Sequence, residues 1–388
     1  LAAFAGGVSV SLGYLGLIIG AAFAGIVYVI IAVIVRFAGV KWIDKIMPAV
    51  VIGPTVAIIG LSLAGNAVGQ AVSGVNNGGY VMDVNASLCL VCALVTLATT
   101  IVCSVYGKKL MKMIPFIIGI LAGYVVAAIF TGFSYIEGAE AMRIIDFTKF
   151  TKMQWYPDFA FLQPILHPEI SAGEAGSVGA YIGTIAVAYI PVSFVVFAEH
   201  IADHKNISTI IESDLLADPG LSRTLLGDGV GSVAGAIFGG CPNTTYGESV
   251  GCVAISGNAS VITIFVTALM AIVAAFIAPF VTFLSTIPDC VMGGVCIALY
   301  GFIAVSGLKM VQAVDLNDNK NLFVVSVILI AGVGGMSLKF GPVVITEVAC
   351  ALILGILTNL LVNIKKRGAK EEQITIEEAV AEEKKSAE

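Results

Sequence analysis

The chain has 388 residues, of which 58% are hydrophobic and only 12% charged, and its mean hydropathy is +1.00. Soluble domains carry about 25% charged residues, so this composition excludes an ordinary soluble enzyme or nucleic-acid-binding domain. Apolar runs of about 18 or more residues recur, each long enough to cross a bilayer core of roughly 30 Å. The sequence therefore predicts an all-α polytopic membrane protein.

Hydropathy predicts ten full spans along the chain. They are 14–36, 47–65, 86–106, 113–132, 178–200, 223–240, 260–284, 289–306, 322–339 and 343–364. A shorter, polar-headed segment at 241–257 lies between two of these spans, because Pro242 and Gly247 interrupt helical continuity there. We expect this segment to cross the membrane as a broken span.

Lysine and arginine in the short loops set the expected orientation. They cluster in 36–45, 107–112 and 308–320 and just after the last span, whereas 66–85 and 285–289 contain none. Because basic loops stay on the cytoplasmic side, these loops are expected to face the cytoplasm. We therefore expect a multi-pass protein of the cell (inner) membrane with a cytoplasmic C-terminus.

Two spans share a pattern of small residues. The stretches "MPAVVIGPTVAIIGLSLAG" (47–65) and "IPDCVMGGVCIALYGFIAVSG" (287–307) each begin beside a proline, with a glycine five residues after it. The loop charges send the two spans across the membrane in opposite directions. The pattern favours an inverted-topology repeat, as in many secondary transporters; the alternative is a chance match of two common residue types.

An acidic side chain in a membrane span costs about 2.5–3.5 kcal/mol to insert, which makes it a candidate functional group. Glu199 ends an apolar run, and Asp203 follows four residues later on the same helix face. Two close carboxylates do not both stay ionised cheaply in a low dielectric, so the pair can carry a proton. Alternatively, Glu199 marks the cytoplasmic helix end, with His200, Asp203 and His204 as ordinary interface residues.

The stretch "GGCPNTTYGESVG" (239–251) contains the second candidate, Glu248. A helix that starts near Tyr246 would direct its free amide groups towards whatever lies before it. Amide donors and a carboxylate acceptor together suit a small, flat, neutral polar molecule. Alternatively, the polar residues at 243–245 only cap this helix.

An intramembrane enzyme or a metal site has no support in the sequence. The eight cysteines lie mostly in apolar runs, and no CxxC pair has a second pair or a histidine at ligand spacing. No Ser–His or HExxH arrangement lies within the spans. We expect no enzyme activity, no metal and no cofactor.

Three segments resemble the uracil permease branch of the nucleobase–cation symporter-2 family, also called nucleobase–ascorbate transporters. They are "FAEHIADHKNIS", "LLADPGLSRTLLGDGVGSVAGAIFGGCPNTTYGESVG" and "IPDCVMGGVCIALYGFIAVSG". The resemblance covers nearly all of 13–364, and "PNTTYGE" is its most specific string. The xanthine and urate branch carries a Gln-Asn-x-Gly pattern in the corresponding half-helix, which is absent here.

The resemblance implies fourteen segments in two inverted seven-segment repeats, with short strands in the third and tenth segments. The implied units are 1–37 and 178–285 (core domain), 38–132 and 286–364 (gate domain), 133–177 (extracytoplasmic loop) and 365–388 (cytoplasmic tail). The chain is then truncated at its N-terminus, and the third-segment aromatic residue is expected at Phe4.

The resemblance also implies a substrate site. Glu199 and Glu248 are expected to hydrogen-bond a uracil ring from two sides. The backbone amide of Gly247 is the expected donor, Tyr246 lies beside it, and Tyr300 faces the core from the gate.

Proton coupling is expected from Glu199, Asp203 and His204. The chain departs from the family pattern here, because Asp203 stands where a relay histidine is expected and His204 follows it. The implied function is uracil import by proton symport, with an elevator-type movement of the core past the gate. We expect a homodimer in a lipid bilayer with the proton as coupling ion.

Two other transport functions stay open at this point. One is transport of another nucleobase, such as xanthine or urate. The other is anion transport by the related inverted-repeat fold, which would favour a positively charged site.

Overall fold

The computed structural model describes residues 10–39, 41–72, 76–77, 80–81, 86–156, 159, 162, 166, 178–340 and 343–364. Most of these residues are helical, which confirms the predicted helical class, and two short hairpins are added to it. The aromatic residue expected to contact substrate, Phe4, lies outside the described residues, as does the tail 365–388.

The first part of the chain contains eight helices among its described residues. They are α1 (Val10–Ala38), α2 (Lys41–Ile46), α3 (Ala49–Ser62), α4 (Ala64–Val72), α5 (Ala86–Tyr106), α6 (Leu110–Met113), α7 (Pro115–Phe133) and α8 (Thr148–Thr151). The antiparallel strands β1 (Asn76–Asn77) and β2 (Tyr80–Val81) pair between α4 and α5. A 3₁₀ turn (Glu140–Met142) precedes α8.

The second part contains the longest helix. Its described elements are α9 (Val178–Ile211), a π-helical turn (Leu216–Gly220), α10 (Leu221–Ile237), α11 (Gly247–Ser256), α12 (Val261–Ala275), α13 (Ala278–Ser285), α14 (Asp289–Gln312), α15 (Asn319–Val333), β3 (Leu338–Phe340), β4 (Val343–Ile345) and α16 (Glu347–Val362). Strands β3 and β4 pair antiparallel, with Lys339 opposite Val344. Residues 240–246, where a tenth-segment strand was expected, lie outside any helix or strand.

Several helices match the predicted spans. Within the described residues, five helical stretches are long and apolar enough to cross a membrane alone: Leu12–Ala38, Ala49–Val72, Ser87–Tyr106, Pro115–Phe133 and Asp289–Gln312. A sixth candidate is the pair α12 and α13, which bends by 87°. The predicted span 260–284 is therefore broken, because a new helix begins at Ala278 with Pro279 in its first turn.

The predicted spans 322–339 and 343–364 are also interrupted. Helix α15 ends at Val333, and Gly335 follows with a φ of 70°, a left-handed conformation that glycine adopts without strain. The β3–β4 hairpin then connects α15 to α16, and these helices have only 15 and 16 residues. Both are too short to cross a bilayer core upright.

Helices α3 and α14, the two segments with the shared small-residue pattern, pack directly against each other. A Cβ atom on Gly60 would lie 2.3 Å from the Tyr300 carbonyl oxygen, and one on Gly307 would lie 2.2 Å from the Ala57 nitrogen. Higher numbers in α3 thus meet lower numbers in α14, so the helices run antiparallel. Only glycine allows the two backbones to approach this closely.

Helices α1, α9 and α10 form a second packed group. A Cβ on Gly25 of α1 would lie 2.6 Å from the carbonyl oxygen of Gly229 in α10. Tyr28 of α1, Phe197 of α9 and Leu225 of α10 are all buried in the same apolar cluster. This packing holds the polar end of α9 against α10.

Candidate functional site

A cavity of about 610 Å³ is lined by residues of helices α6, α7, α9, α11 and α14. Glu199 and Asp203 of α9 and Gly247 of α11 belong to its lining. Phe116 of α7 and Phe302 of α14 line it too, with their rings edge to face and their centroids 6.0 Å apart. The cavity thus combines carboxylates and a helix N-terminus with an aromatic surface.

Helix α9 places both acids in the cavity because they lie one turn apart. The helix runs unbroken for 34 residues, so Glu199 and Asp203 share a face as the spacing predicted. Glu199 is half-buried, whereas Asp203 is only 5% exposed. A carboxylate buried this deeply requires hydrogen-bond donors.

Asp203 obtains one donor from the broken segment before α11. The Thr245 hydroxyl donates to Asp203 Oδ2 at 2.6 Å, a distance typical of a hydroxyl bound to a charged carboxylate. A Cβ on Gly247 would lie 3.5 Å from Asp203 Oδ1, so the first residue of α11 also lies beside this acid. The carboxylate of α9 and the N-terminus of α11 therefore meet at Asp203.

The helix start near Tyr246 is confirmed, because α11 begins at Gly247 with Tyr246 as its N-cap. The N-cap residue Tyr246 makes no side-chain hydrogen bond to the first turn of α11. The Thr245 hydroxyl bonds to Asp203. Sequence reasoning missed this contact, because a threonine before a helix is usually a cap.

Helix α10 supports the segment that leads into α11. The Asn243 N–H donates to the Ser232 hydroxyl at 2.8 Å, and the Gly240 N–H donates to the Gly235 carbonyl at 2.8 Å. A Cβ on Gly231 would lie 2.7 Å from the Asn243 side-chain nitrogen, so glycine makes room for this amide. The same helix thus supports both α9 and the loop that carries Thr245.

The structure brings Glu199, Asp203 and Gly247 together in the cavity. Glu248 is the second residue of α11, but its side chain lies outside the described part of the structure. Tyr246 is 64% exposed and is not part of the cavity lining.

Two further predicted residues also lie outside the lining. Tyr300 is half-buried in α14, where its carbonyl oxygen packs against Gly60. His204 lies behind the acids, where its Nδ1 donates to the His200 carbonyl at 2.9 Å and its ring stacks on that of His200.

The cavity contains side chains of both charges. Lys112 and Lys309 line it together with Glu199 and Asp203. Both lysines belong to basic loops that the sequence predicts to be cytoplasmic, so the cavity reaches the predicted cytoplasmic side. The sequence did not indicate that these lysines would share a cavity with the acids, because they lie far apart along the chain.

The donor set of the site is that of a hydrogen-bonding and proton-exchanging pocket. Among the residues that the structure describes, no group of three or more His, Cys, Asp or Glu side chains has a geometry that could hold a metal ion. The lining offers carboxylates, lysine ammonium groups, hydroxyls and helix amides. They can bind a neutral polar molecule and exchange a proton with water.

Comparison with known proteins identifies relatives over most of the chain. A family model for xanthine/uracil permeases, described as Permease family, matches residues 2–341. A protein named uracil permease from Bacillus caldolyticus is 38% identical over 347 residues, which cover 88% of this chain and 74% of the relative.

Two other relatives carry the same name. The uracil permease of Bacillus subtilis (strain 168) is 36% identical over 368 residues, covering 92% of this chain and 76% of the relative. That of Paenibacillus larvae is 36% identical over 344 residues, covering 88% and 75%. Matches of this extent show the family.

Proposed function

Because this chain belongs to the xanthine/uracil permease family, and is therefore a multi-pass membrane transporter and not an enzyme, we propose that it transports uracil. The names of its relatives support this substrate, and the cavity supports the location of its site. The single observation that carries the proposal is that Glu199, Asp203 and Gly247 meet in one pocket.

The chemistry of the pocket suits a pyrimidine base. Uracil is flat and neutral, with two ring N–H donors and two carbonyl acceptors. Glu199 accepts from a ring N–H, Glu248 accepts from the second side, and the Gly247 amide donates to a carbonyl. A hydrogen bond to a charged group contributes about 1.5–3 kcal/mol and one to a neutral group about 0.5–1.5 kcal/mol. Phe116 and Phe302 of the lining provide an apolar surface for the ring.

We propose that Glu199 and Asp203 exchange the coupling proton. Glu199 takes up the proton and shares it with Asp203, which lies one helical turn away in the same cavity. Neutralising it matters because moving one charge through the membrane potential costs about 2.3 kcal/mol per 100 mV. His204 lies outside the cavity lining, and its Nδ1 donates to the His200 carbonyl.

The transport cycle is proposed to be of the elevator type. Helices α1, α9 and α10 belong to the proposed core domain, and α3 and α14 to the proposed gate domain. The antiparallel packing of α3 and α14 supports two inverted repeats with these helices as equivalents. We further propose a homodimer in the cell membrane with a cytoplasmic C-terminus.

The experiment that tests this function is uptake of radiolabelled uracil into proteoliposomes with and without an inward proton gradient. Glu199→Gln and Glu248→Gln are compared with Glu212→Gln, which removes an exposed carboxyl just after α9. We expect gradient-dependent uptake that both site variants lose and the control keeps.

The outcomes separate the parts of the proposal. Uptake by the site variants at the normal rate would refute the site. Uptake that ignores the gradient would refute the coupling. Uptake of xanthine in place of uracil would refute uracil as the substrate and would favour the function of the xanthine and urate branch.

A further inference from the structure

The cavity extends well beyond the acid that accepts from uracil in the proposed function. Along α9 its lining follows one stripe of the helix, whose members lie three or four residues apart. They are Glu199, Asp203, Asn206 and Ile210. From Glu199 to Ile210 the helix rises by about 16 Å. A single pyrimidine ring is much shorter than this, so a cavity of about 610 Å³ has room for a larger ligand.

The chemistry of the lining changes along this length. Helix α14 contributes a second stripe, formed by Phe302, Ser306 and Lys309, so an aromatic ring is followed by a hydroxyl and then by an ammonium group in the last turn of the helix. Lys112, in the last turn of α6, lines the cavity as well. Both lysines belong to loops predicted to be cytoplasmic, so the basic end of the cavity lies towards that side.

Several polar side chains of the lining have no partner within the described part of the chain. Neither Lys112 nor Lys309 forms an ion pair there. The side chains of Ser104, Asn206 and Ser306 form no hydrogen bond there. A helical serine usually donates to a carbonyl of the preceding turn, as both serines of α9 do. These five residues, which we call the cavity mouth, therefore have donors available for a ligand.

The donors of the cavity mouth match the oxygen atoms of a phosphate group. Ammonium groups form charge-assisted hydrogen bonds with phosphate, and amide and hydroxyl groups donate to its remaining oxygens. Along α14, Lys309 lies about 10 Å beyond Phe302, so a phosphate held there is separated from a base held beside the ring. A ligand that uses both ends of the cavity thus carries a flat base and a phosphate, with a spacer of the size of a ribose between them.

We propose that the cavity mouth binds the phosphate of a pyrimidine nucleoside monophosphate whose base occupies the proposed uracil site. The nucleotide and uracil then exclude each other, so a nucleotide that enters from the predicted cytoplasmic side inhibits transport. The part of this proposal that concerns the base rests on the proposed function. The part that concerns the phosphate rests on the two lysines and the three side chains without partners.

Equilibrium binding tests the proposal without a transport assay. Radiolabelled uridine 5′-monophosphate is added to the full chain in nanodiscs of neutral phosphatidylcholine, with unlabelled uracil, uridine or inorganic phosphate as competitor. We expect uracil to displace the nucleotide completely, and the nucleotide to bind about tenfold more tightly than uridine. A nucleotide that binds no more tightly than uridine, or that uracil does not displace, would overturn the proposal. Equal competition by inorganic phosphate and by the nucleotide would show an adventitious anion only.

The role of the lysines is tested by Lys112→Gln and Lys309→Gln. Each change should lower the affinity for the nucleotide about tenfold more than the affinity for uracil, because uracil carries no charge. Added salt should likewise weaken binding of the nucleotide more than binding of the base. Lys205→Gln is the matched control, since Lys205 is an exposed lysine of α9 outside the lining. An equal loss of both affinities in the lysine variants would show a structural role and refute the phosphate site.

The remaining outcomes separate the possible sources of the anion. If nanodiscs of anionic phosphatidylglycerol abolish nucleotide binding, the lysines bind lipid headgroups and the proposal is wrong. If neither lysine variant folds, the salt dependence of the unmodified protein decides between the two ligands. Binding of uracil without binding of the nucleotide would refute this proposal alone. Lysine-dependent binding of the nucleotide by a protein that does not bind uracil would refute the proposed function and leave the phosphate site in place.

Discussion

The helix contact between α3 and α14 and the contact between α9 and α11 use glycine in opposite ways. At the first contact, a Cβ on Gly307 would lie 2.2 Å from a backbone nitrogen. Glycine therefore lets the two helix backbones pack in direct contact. At the second, a Cβ on Gly247 would lie 3.5 Å from a carboxylate oxygen beside an open cavity. The first glycine serves packing, and the second gives the site acid access to a helix N-terminus.

This difference shows why the two regions tolerate change differently. Backbone atoms of α3 cannot move without separating two long helices, and protein interiors transmit such strain. The Asp203 side chain can adjust by bond rotation at the edge of a cavity. Substitutions at the first contact should therefore affect folding, whereas those at the second should affect binding.

The largest effect is expected for Gly307→Val. Overpacking a well-packed core costs about 1–3 kcal/mol or more, and here the new side chain meets backbone in place of a flexible side chain. We expect little folded protein by size-exclusion chromatography. Gly301→Val on the same helix is the control, because a Cβ there meets nothing within 4 Å. Equal yields of the two variants would contradict the tight contact.

The second-largest effect is expected from the loss of a buried hydroxyl group, that of Thr131. Thr131 of α7 is fully buried and accepts from the Ile144 and Ile145 N–H groups at 3.1 and 3.0 Å. In Thr131→Val both donors lose their acceptor, at about 1–3 kcal/mol each. We expect a lower unfolding temperature with unchanged uracil affinity.

The control for this variant is Thr267→Val. Thr267 is exposed, and its hydroxyl only donates to a carbonyl of its own helix. If Thr131→Val unfolded at the same temperature as this control, the anchoring of the loop to α7 would be refuted.

A smaller effect is expected at the site. Gly247→Ala adds a methyl group at ordinary contact distance from Asp203, so the protein should fold normally. The methyl group occupies space at the cavity wall, and uracil affinity should fall about tenfold, or about 1.4 kcal/mol. Gly183→Ala in α9 is the control, since its Cβ meets nothing within 4 Å. Native affinity in Gly247→Ala would show that substrate does not approach this amide.

The smallest effect concerns a loop far from both contacts. The Thr148 hydroxyl donates to Asp146 at 2.6 Å and lowers the pKa of that carboxyl below its usual value. The resulting stabilisation is present above the ordinary pKa of aspartate, about 3.9, and is lost as the pH falls through the lowered value.

Hydrogen exchange of the segment around α8 tests the direction of this pH dependence. Asp146→Asn should reduce its protection at neutral pH, and the difference from the native protein should vanish at about pH 2, below the usual range of carboxyl groups. A difference that grows in acid would reverse the assigned direction.

Local patterns in the sequence were sufficient for part of the site. The four-residue spacing of Glu199 and Asp203 predicted their shared face, and Pro242 and Gly247 predicted the helix that starts beside Tyr246. The predicted span 322–339 failed at its end, because an apolar run does not distinguish a continuing helix from a helix followed by a hairpin strand. The interaction of Thr245 with Asp203 joins residues 42 positions apart, and no local pattern indicates it.

The sequence by itself determined the membrane environment, the helical class, the shared face of the acid pair and the helix that begins beside Tyr246, because hydropathy and helical spacing are local properties. Only the tertiary structure decided which groups meet. It brought Thr245 to Asp203, placed His200 between Asp228 and Thr224, and brought two lysines into the same cavity as the acids. These contacts depend on how closely α9, α10 and α11 approach, and that distance is set by packing of side chains far apart in the chain.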